Sequence, residues 1–197
     1  MSNEKASRNV AILLFENVEI LDFTGPYEVF ITASNRGKDF NVYTVAEKQQ
    51  PIIALGNLSI NPAFSFENCP TPDIVIIPGG WGTRKEMKNE SILNWIKQVS
   101  MDAELVLSVC TGALILAKTN LIDGLKLTTN RLALNELKEV APKSAELLDA
   151  RYVDNGKFVF SAGVSAGIDM SLYVVERLLG EERAIQTANL MEYDWKR

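Results

Sequence analysis

The chain has 197 residues, 47% hydrophobic and 23% charged, which is enough for one domain with a sizeable core and excludes a disordered chain. Its net charge of -5, with scattered basic residues, excludes a general electrostatic grip on nucleic acid. No apolar run approaches the roughly 18 residues that cross a bilayer, and the polar N-terminus lacks the apolar core of a signal peptide, so no membrane partner and a cytoplasmic location are expected.

Residues 1–8 read as a disordered leader, and 9–197 as a single domain. Residues 10–15 read as the first strand. The run is continuously apolar rather than alternating, which suits a strand covered on both faces. Asp22 lies shortly beyond it. Thr24-Gly25-Pro26 reads as a helix start, because proline suits the first turn. That helix is expected to run to about Asn35, with Gly37 as its stop. Asp22 is then either a cap for this helix or a carboxyl facing a site. Glu28, further along the helix, is a candidate second inward carboxylate. Residues 41–45 read as a second strand, and 51–61, around Gly56-Asn57, as a hairpin or excursion. Cys69, in Phe66-Glu67-Asn68-Cys69-Pro70, has no chemical company and reads as structural.

Residues 74–77 are again continuously apolar, and 105–109 are so but for Ser108. Pro78-Gly79-Gly80 follows the first of these, and Trp81 comes next, either as a substrate wall or as an exposed lid. Between the two strands, Ile92, Trp95, Ile96 and Val99 fall at i, i+3, i+4 and i+7, with Asn89 as N-cap. Cys110 follows the second strand and precedes a helical run, so it sits at a strand-to-helix corner. A helix N-terminus there favours thiolate. Residues 151–153 and 158–160 flank Asp154-Asn155-Gly156-Lys157 and read as a hairpin. Ile168, Leu172, Val175 and Leu179 repeat the helical spacing until Gly180 stops it. Asp169 suits that helix's dipole as a first-turn acid.

Strand alternating with helix gives an α/β fold: a doubly wound, mostly parallel sheet flanked by helices on both faces. Asp22, Gly79-Gly80 and Cys110 then all leave the carboxyl ends of strands, where open α/β sheets place their ligand sites. The chain contains no histidine, so no Cys-His pair activates Cys110. Its two cysteines make no disulfide framework and suit a reducing compartment. There is no metal-ligand spacing, no Gly-x-Gly-x-x-Gly and no Walker-type lysine loop, so neither metal nor nucleotide cofactor is expected. Gly80 and Thr111 are expected to offer backbone N–H groups near the sulfur. Gly79-Gly80 also reads as a tight turn needing positive φ. The Thr111 hydroxyl either contacts substrate or bonds back to its own turn.

Leu14-Phe15, Leu21-Asp22-Phe23-Thr24-Gly25-Pro26, Ile77-Pro78-Gly79-Gly80 and Ser108-Val109-Cys110-Thr111-Gly112 together resemble the ThiJ/PfpI superfamily. Further matches are Leu127-Thr128-Thr129, Ala162-Gly163-Val164-Ser165-Ala166-Gly167-Ile168-Asp169 and Met191-Glu192-Tyr193, in order along nearly the whole chain. The resemblance implies a flavodoxin-like, class I glutamine amidotransferase-like fold and a homodimer. Leu-Asp-x-Thr-Gly-Pro combined with Cys-Thr-Gly most resembles isocyanide hydratases, and equally the amidotransferase-like domains of AraC-type regulators. Those regulators carry a C-terminal helix-turn-helix domain, which is not expected after Arg197.

Two departures stand out. Peptidase-like members carry histidine directly after the cysteine, where this chain has Thr111, which argues against proteolysis. Relatives with a Thr-Thr-His segment carry histidine where this chain has Asn130, which hydrogen-bonds but does not shuttle protons near neutral pH. The resemblance implies Cys110 as nucleophile, Asp22 as a protonated carboxyl beside a thiolate, Thr111 as catalytic neighbour, and Gly79, Gly80, Thr111 and Val164 around the substrate. The expected activity is cofactor-free hydration of an isocyanide to an N-substituted formamide. The rivals are a glyoxalase-like reaction on 2-oxoaldehydes and a small-molecule or redox-sensing binding domain without catalysis.

Overall fold

A computed structural model describes residues 7–197. The elements in chain order are β1 (Arg8–Leu13), α1 (Ile20–Ala33), β2 (Phe40–Ala46), β3 (Ile52–Ile53), β4 (Ser59–Ile60), β5 (Phe64–Ser65), β6 (Ile74–Ile77), α2 (Thr83–Glu86) and α3 (Glu90–Asp102). Then follow β7 (Leu105–Val109), α4 (Gly112–Leu116), β8 (Lys126–Leu127), α5 (Leu134–Val140), β9 (Glu146–Leu147), β10 (Tyr152–Asp154), β11 (Phe158–Ser161), α6 (Ala166–Leu179) and α7 (Glu181–Leu190). Most of the expected leader lies outside the described residues, but Arg8 opens β1, largely buried and paired with Glu104 at 2.6 Å.

Seven strands form one sheet in the order β10-β11-β7-β6-β1-β2-β5. Every pairing in it is parallel except β10 with β11. All residues of β6 and β7 are buried. Side chains alternate between faces, so this means the sheet is covered on both sides. Full burial of each Ile or Leu in these strands contributes about 1.5–3 kcal/mol. The doubly wound α/β reading is borne out. Strand order reverses at β1, which lies between β2 and β6. The crevice at this switch point opens at the carboxyl ends of β1, β6 and β7.

Local signals account for much of the rest. Asn89 caps α3, its side chain accepting from the Ser91 N–H at 3.1 Å. Gly180 ends α6 with φ of 94°. The expected hairpins are present as β3–β4 and β10–β11, both antiparallel.

Two expectations need correction, and a third, Asp169 as a first-turn acid, holds but is incomplete. The first helix does not start at Thr24-Gly25-Pro26 but at Ile20, with Pro26 inside it. Its N-cap, Glu19, makes no side-chain cap bond, so no residue type marked the true start. Proline has no N–H, so the Asp22 carbonyl four residues earlier has no helical partner there. Asp22 therefore lies in the first turn, not at a cap. Glu28 is exposed and accepts from the Thr32 hydroxyl, so it is not an inward carboxylate. Asp169 is fully buried, paired with Arg151, and accepts from the Lys196 N–H at 2.9 Å. Its work is to pin the C-terminal tail, which goes beyond complementing a dipole.

Candidate active site

The three crevice strands deliver the three segments picked out by the sequence, and they meet. Cys110 leaves β7 with φ of 55°, a left-handed conformation rarely adopted by a non-glycine residue. It persists because both its peptide groups are held. Its N–H donates to the Ser161 and Ala162 carbonyls at 3.2 and 3.3 Å. Its carbonyl accepts from the Thr129 hydroxyl at 2.7 Å. The strained elbow turns the chain into α4 and leaves the thiol 6% exposed at the base of a cleft. Thr129→Val is expected to lower stability by about 1–3 kcal/mol, because a buried carbonyl loses its donor. Chemical denaturation measures this loss, and an unchanged midpoint would show that Thr129 does not hold the elbow.

Asp22 is 0% exposed. Its Oδ2 accepts from the Gly79 N–H at 3.0 Å, and its carboxyl also meets the Val164 N–H and the Cys110 thiol. Oδ1 is buried without a hydrogen-bond partner. Gly79 permits this approach: a Cβ there would lie 2.6 Å from both Asp22 Oδ2 and the Thr111 N. Burial, helped by the nearby Glu19 charge, lifts Asp22 to about 7. Burial first, then the Asp22 charge, pushes the Cys110 thiol up to about 12. Burial thus favours the protonated Asp22 that the resemblance implies, and it favours a protonated thiol beside it rather than a thiolate. The two groups titrate as a pair, with the sulfur the harder of the two to ionise. The physical reason is that α4 spans only Gly112–Leu116. A helix end this short does not outweigh burial of the sulfur next to a carboxyl.

Thr111 contributes through both backbone and side chain. Its N–H faces the sulfur and favours negative charge there. Its hydroxyl accepts from the Gly80 N–H at 3.0 Å and lies 3.2 Å from the Thr83 hydroxyl. Gly80 was expected to turn its own N–H to the substrate, but that donor is taken by Thr111 Oγ1. The second donor at the sulfur is instead Asn130. Its Oδ1 accepts from the Leu132 N–H at 3.0 Å, which leaves its NH₂ directed to Cys110. Of the two glycines, Gly80 alone has positive φ, at 131°.

The cleft has a volume of about 250 Å³. Glu19, Trp81, Arg84, Leu132, Ala133 and Val164 line it above the thiol. Val164 was expected here. It adopts φ of 49°, a strained position for a β-branched residue. Thr83, Arg84 and Glu19 were missed, since threonines and charged residues at such spacings carry no local signal, and Thr129 was named only within a matching segment, without a role. Cys69 is a free thiol beside Trp95, away from this cleft. Among the described residues, no cluster of three His, Cys, Asp or Glu side chains is placed to hold a metal.

The DJ-1/PfpI family model matches residues 8–177. The chain belongs to the DJ-1/PfpI family. Within reach of this DJ-1/PfpI protein is the isonitrile hydratase of Pseudomonas putida, 33% identical over 93% of this chain and 78% of that protein. The HTH-type transcriptional regulator GbdR of Pseudomonas aeruginosa is 24% identical, and the match spans 51% of its length. A ThiJ/PfpI family protein from Pseudomonas syringae has a solved structure with TM-score 0.88 at 26% identity, covering 98% of this chain and 78% of that one. The resemblance read from the motifs is therefore borne out at the level of family and fold.

Proposed function

We propose that this protein is a cofactor-independent isocyanide hydratase, with Cys110 as nucleophile and Asp22 as its proton carrier. The observation that carries the reading is the fully buried Asp22 carboxyl facing the buried Cys110 thiol, in a site without histidine. The similarity to an isonitrile hydratase over most of the chain supports the choice of substrate.

An isocyanide carbon needs a nucleophile and then a proton. As Cys110 sulfur bonds to the terminal carbon, Asp22 carboxylate takes the thiol proton. The carbon gains an electron pair, and neutral Asp22 returns the proton to it. The product is a thioimidate, R–N=CH–S–Cys110, with Asp22 ionised again. Water then adds to the same carbon. Its oxygen stays on carbon, one proton goes to nitrogen, and the carbon–sulfur bond breaks as sulfur recovers a proton. One water is consumed, and an N-substituted formamide leaves. The Thr111 N–H and the Asn130 amide stabilise charge on sulfur during both steps.

A glyoxalase-like reaction draws less support. It moves a proton between carbons, and Asn130 stands where relatives with a near-neutral base carry histidine. The reading takes the protein as a homodimer, from the family resemblance, and as cytoplasmic, supported by two free cysteines.

Purified protein incubated with alkyl and aryl isocyanides is expected to release the matching formamides, followed by mass or absorbance. A Cys110→Ala variant serves as the blank. Formamide formation no faster than this blank across several isocyanides would overturn the proposal.

A further inference from the structure

The chemistry at Cys110 uses only the base of the cleft. The mouth carries features that the reaction itself does not need. Trp81 is 71% exposed and Leu132 is 97% exposed, yet both line the cleft above the thiol. Large apolar side chains left this open beside a reacting atom point to something that covers them in use.

The two groups come from separate segments. Trp81 lies between β6 and α2, and Leu132 lies in the turn Arg131–Ala133 just before α5. One ion pair ties these segments together. Arg84 of α2 bonds both oxygens of Glu136 in α5, at 3.0 and 2.6 Å. The same guanidinium donates to the Gly80 carbonyl at 3.2 Å and sits over the Trp81 ring, 5.0 Å from its centroid. The other jaw is fixed too, because the Leu132 N–H is held by Asn130, whose NH₂ meets the sulfur. The segments that carry the two side chains are thus held together before any substrate arrives, which reduces the entropy lost on binding.

We infer that Trp81 and Leu132 form a preset slot for a flat aromatic substituent of the substrate, with Arg84–Glu136 as the positioning pair that fixes its width. This rests on the isocyanide reading for the reacting group, but the slot is defined by its own residues. Arg84 covers part of the indole and leaves its exposed remainder free to stack on a ring. The cleft volume of about 250 Å³ suits one ring and a small functional group. It falls below the roughly 300 Å³ at which sites for drug-sized ligands begin.

Two measurements test this. The first compares phenyl isocyanide with methyl isocyanide as substrates of the full-length protein. The ratio of their kcat/KM values is expected to favour phenyl by about tenfold or more and to fall by about tenfold in Trp81→Ala. In Arg84→Met the loss is expected in KM for the phenyl substrate, with kcat little changed. Leu190→Ala, remote from the cleft, should leave the ratio unchanged. The second measurement is calorimetric binding of the products, formanilide and N-methylformamide, which needs no turnover. Formanilide is expected to bind wild type about tenfold more tightly, with the difference lost in Trp81→Ala.

Trp81-dependent formanilide binding without isocyanide turnover would sink the catalytic reading and leave the slot standing. Turnover without a Trp81-dependent ring preference would overturn the slot and leave the reaction standing. Equal or absent binding of the two formamides, or a solution dimer that buries Trp81, would also overturn the slot.

Discussion

Asparagine in place of Asp22 is expected to lower isocyanide turnover by at least about a hundredfold while making the fold more stable at neutral pH. Both effects come from burying an ionisable group. Asp22 accepts the thiol proton and returns it to carbon, and an amide does neither. The loss falls in the range of one general acid–base group, about 10²–10⁴-fold.

The stability effect follows from the direction of the shift. Asp22 is lifted to about 7 in the folded protein, from about 4 for an unfolded carboxyl. Between these limits the native state holds a proton that the unfolded state has released. Stability therefore falls as pH rises from about 4 to about 7, and the loss persists above that range. The asparagine amide does not ionise and still offers an oxygen to the Gly79 N–H. The variant should thus exceed wild type by up to about 4 kcal/mol above pH 7, the energy of a shift of about three units. The gap should close below about pH 4. Urea melts at the two pH values check this, and a gap of equal size at both would show that Asp22 is not the group responsible. Wild-type turnover should rise as pH passes through about 7, where Asp22 becomes the carboxylate that accepts the thiol proton.

Serine in place of Cys110 is expected to reduce turnover by about a thousandfold or more with little change in stability. The elbow is held through the backbone: two carbonyls take its N–H, and Thr129 holds its carbonyl. None of these contacts involves the sulfur. What serine loses is chemical. Asp22, at about 7, takes a proton from a thiol far more readily than from an alcohol, and sulfur is the better nucleophile for carbon. Intact mass after reaction with excess isocyanide should show an adduct, one isocyanide heavier, on wild type when deacylation is slow, and none on the serine variant. Serine turnover within tenfold of wild type would remove Cys110 from the nucleophile's role.

The sheet was legible because almost continuously apolar runs report burial on both faces, and residues 10–15, 74–77 and, but for Ser108, 105–109 are such runs. The elbow was legible for a related reason: a thiol between a buried strand and an apolar helix has few other places to be. The start of α1 was not legible. Pro26 resembles a first-turn proline, and Glu19 gives no capping signal. Thr83 and Thr129 were not legible because a hydroxyl's partner depends on what the fold brings beside it. Thr129 meets Cys110 across 19 positions, and Gly80 meets Thr111 across 31.

The sequence by itself determined the fold class, the family resemblance, the thiol at the corner and the absence of histidine, because these are written in residue type and local spacing. The tertiary structure alone set the burial that raises both Asp22 and Cys110. Burying Asp22 against Cys110 disfavours charge on both, and that outweighs the short helix behind the sulfur. It also decided which donors face the sulfur, giving Gly80's N–H to Thr111 and turning Asn130 inward. Protonation and hydrogen-bond choice depend on distances across the switch point of the sheet, and folding is what sets those distances.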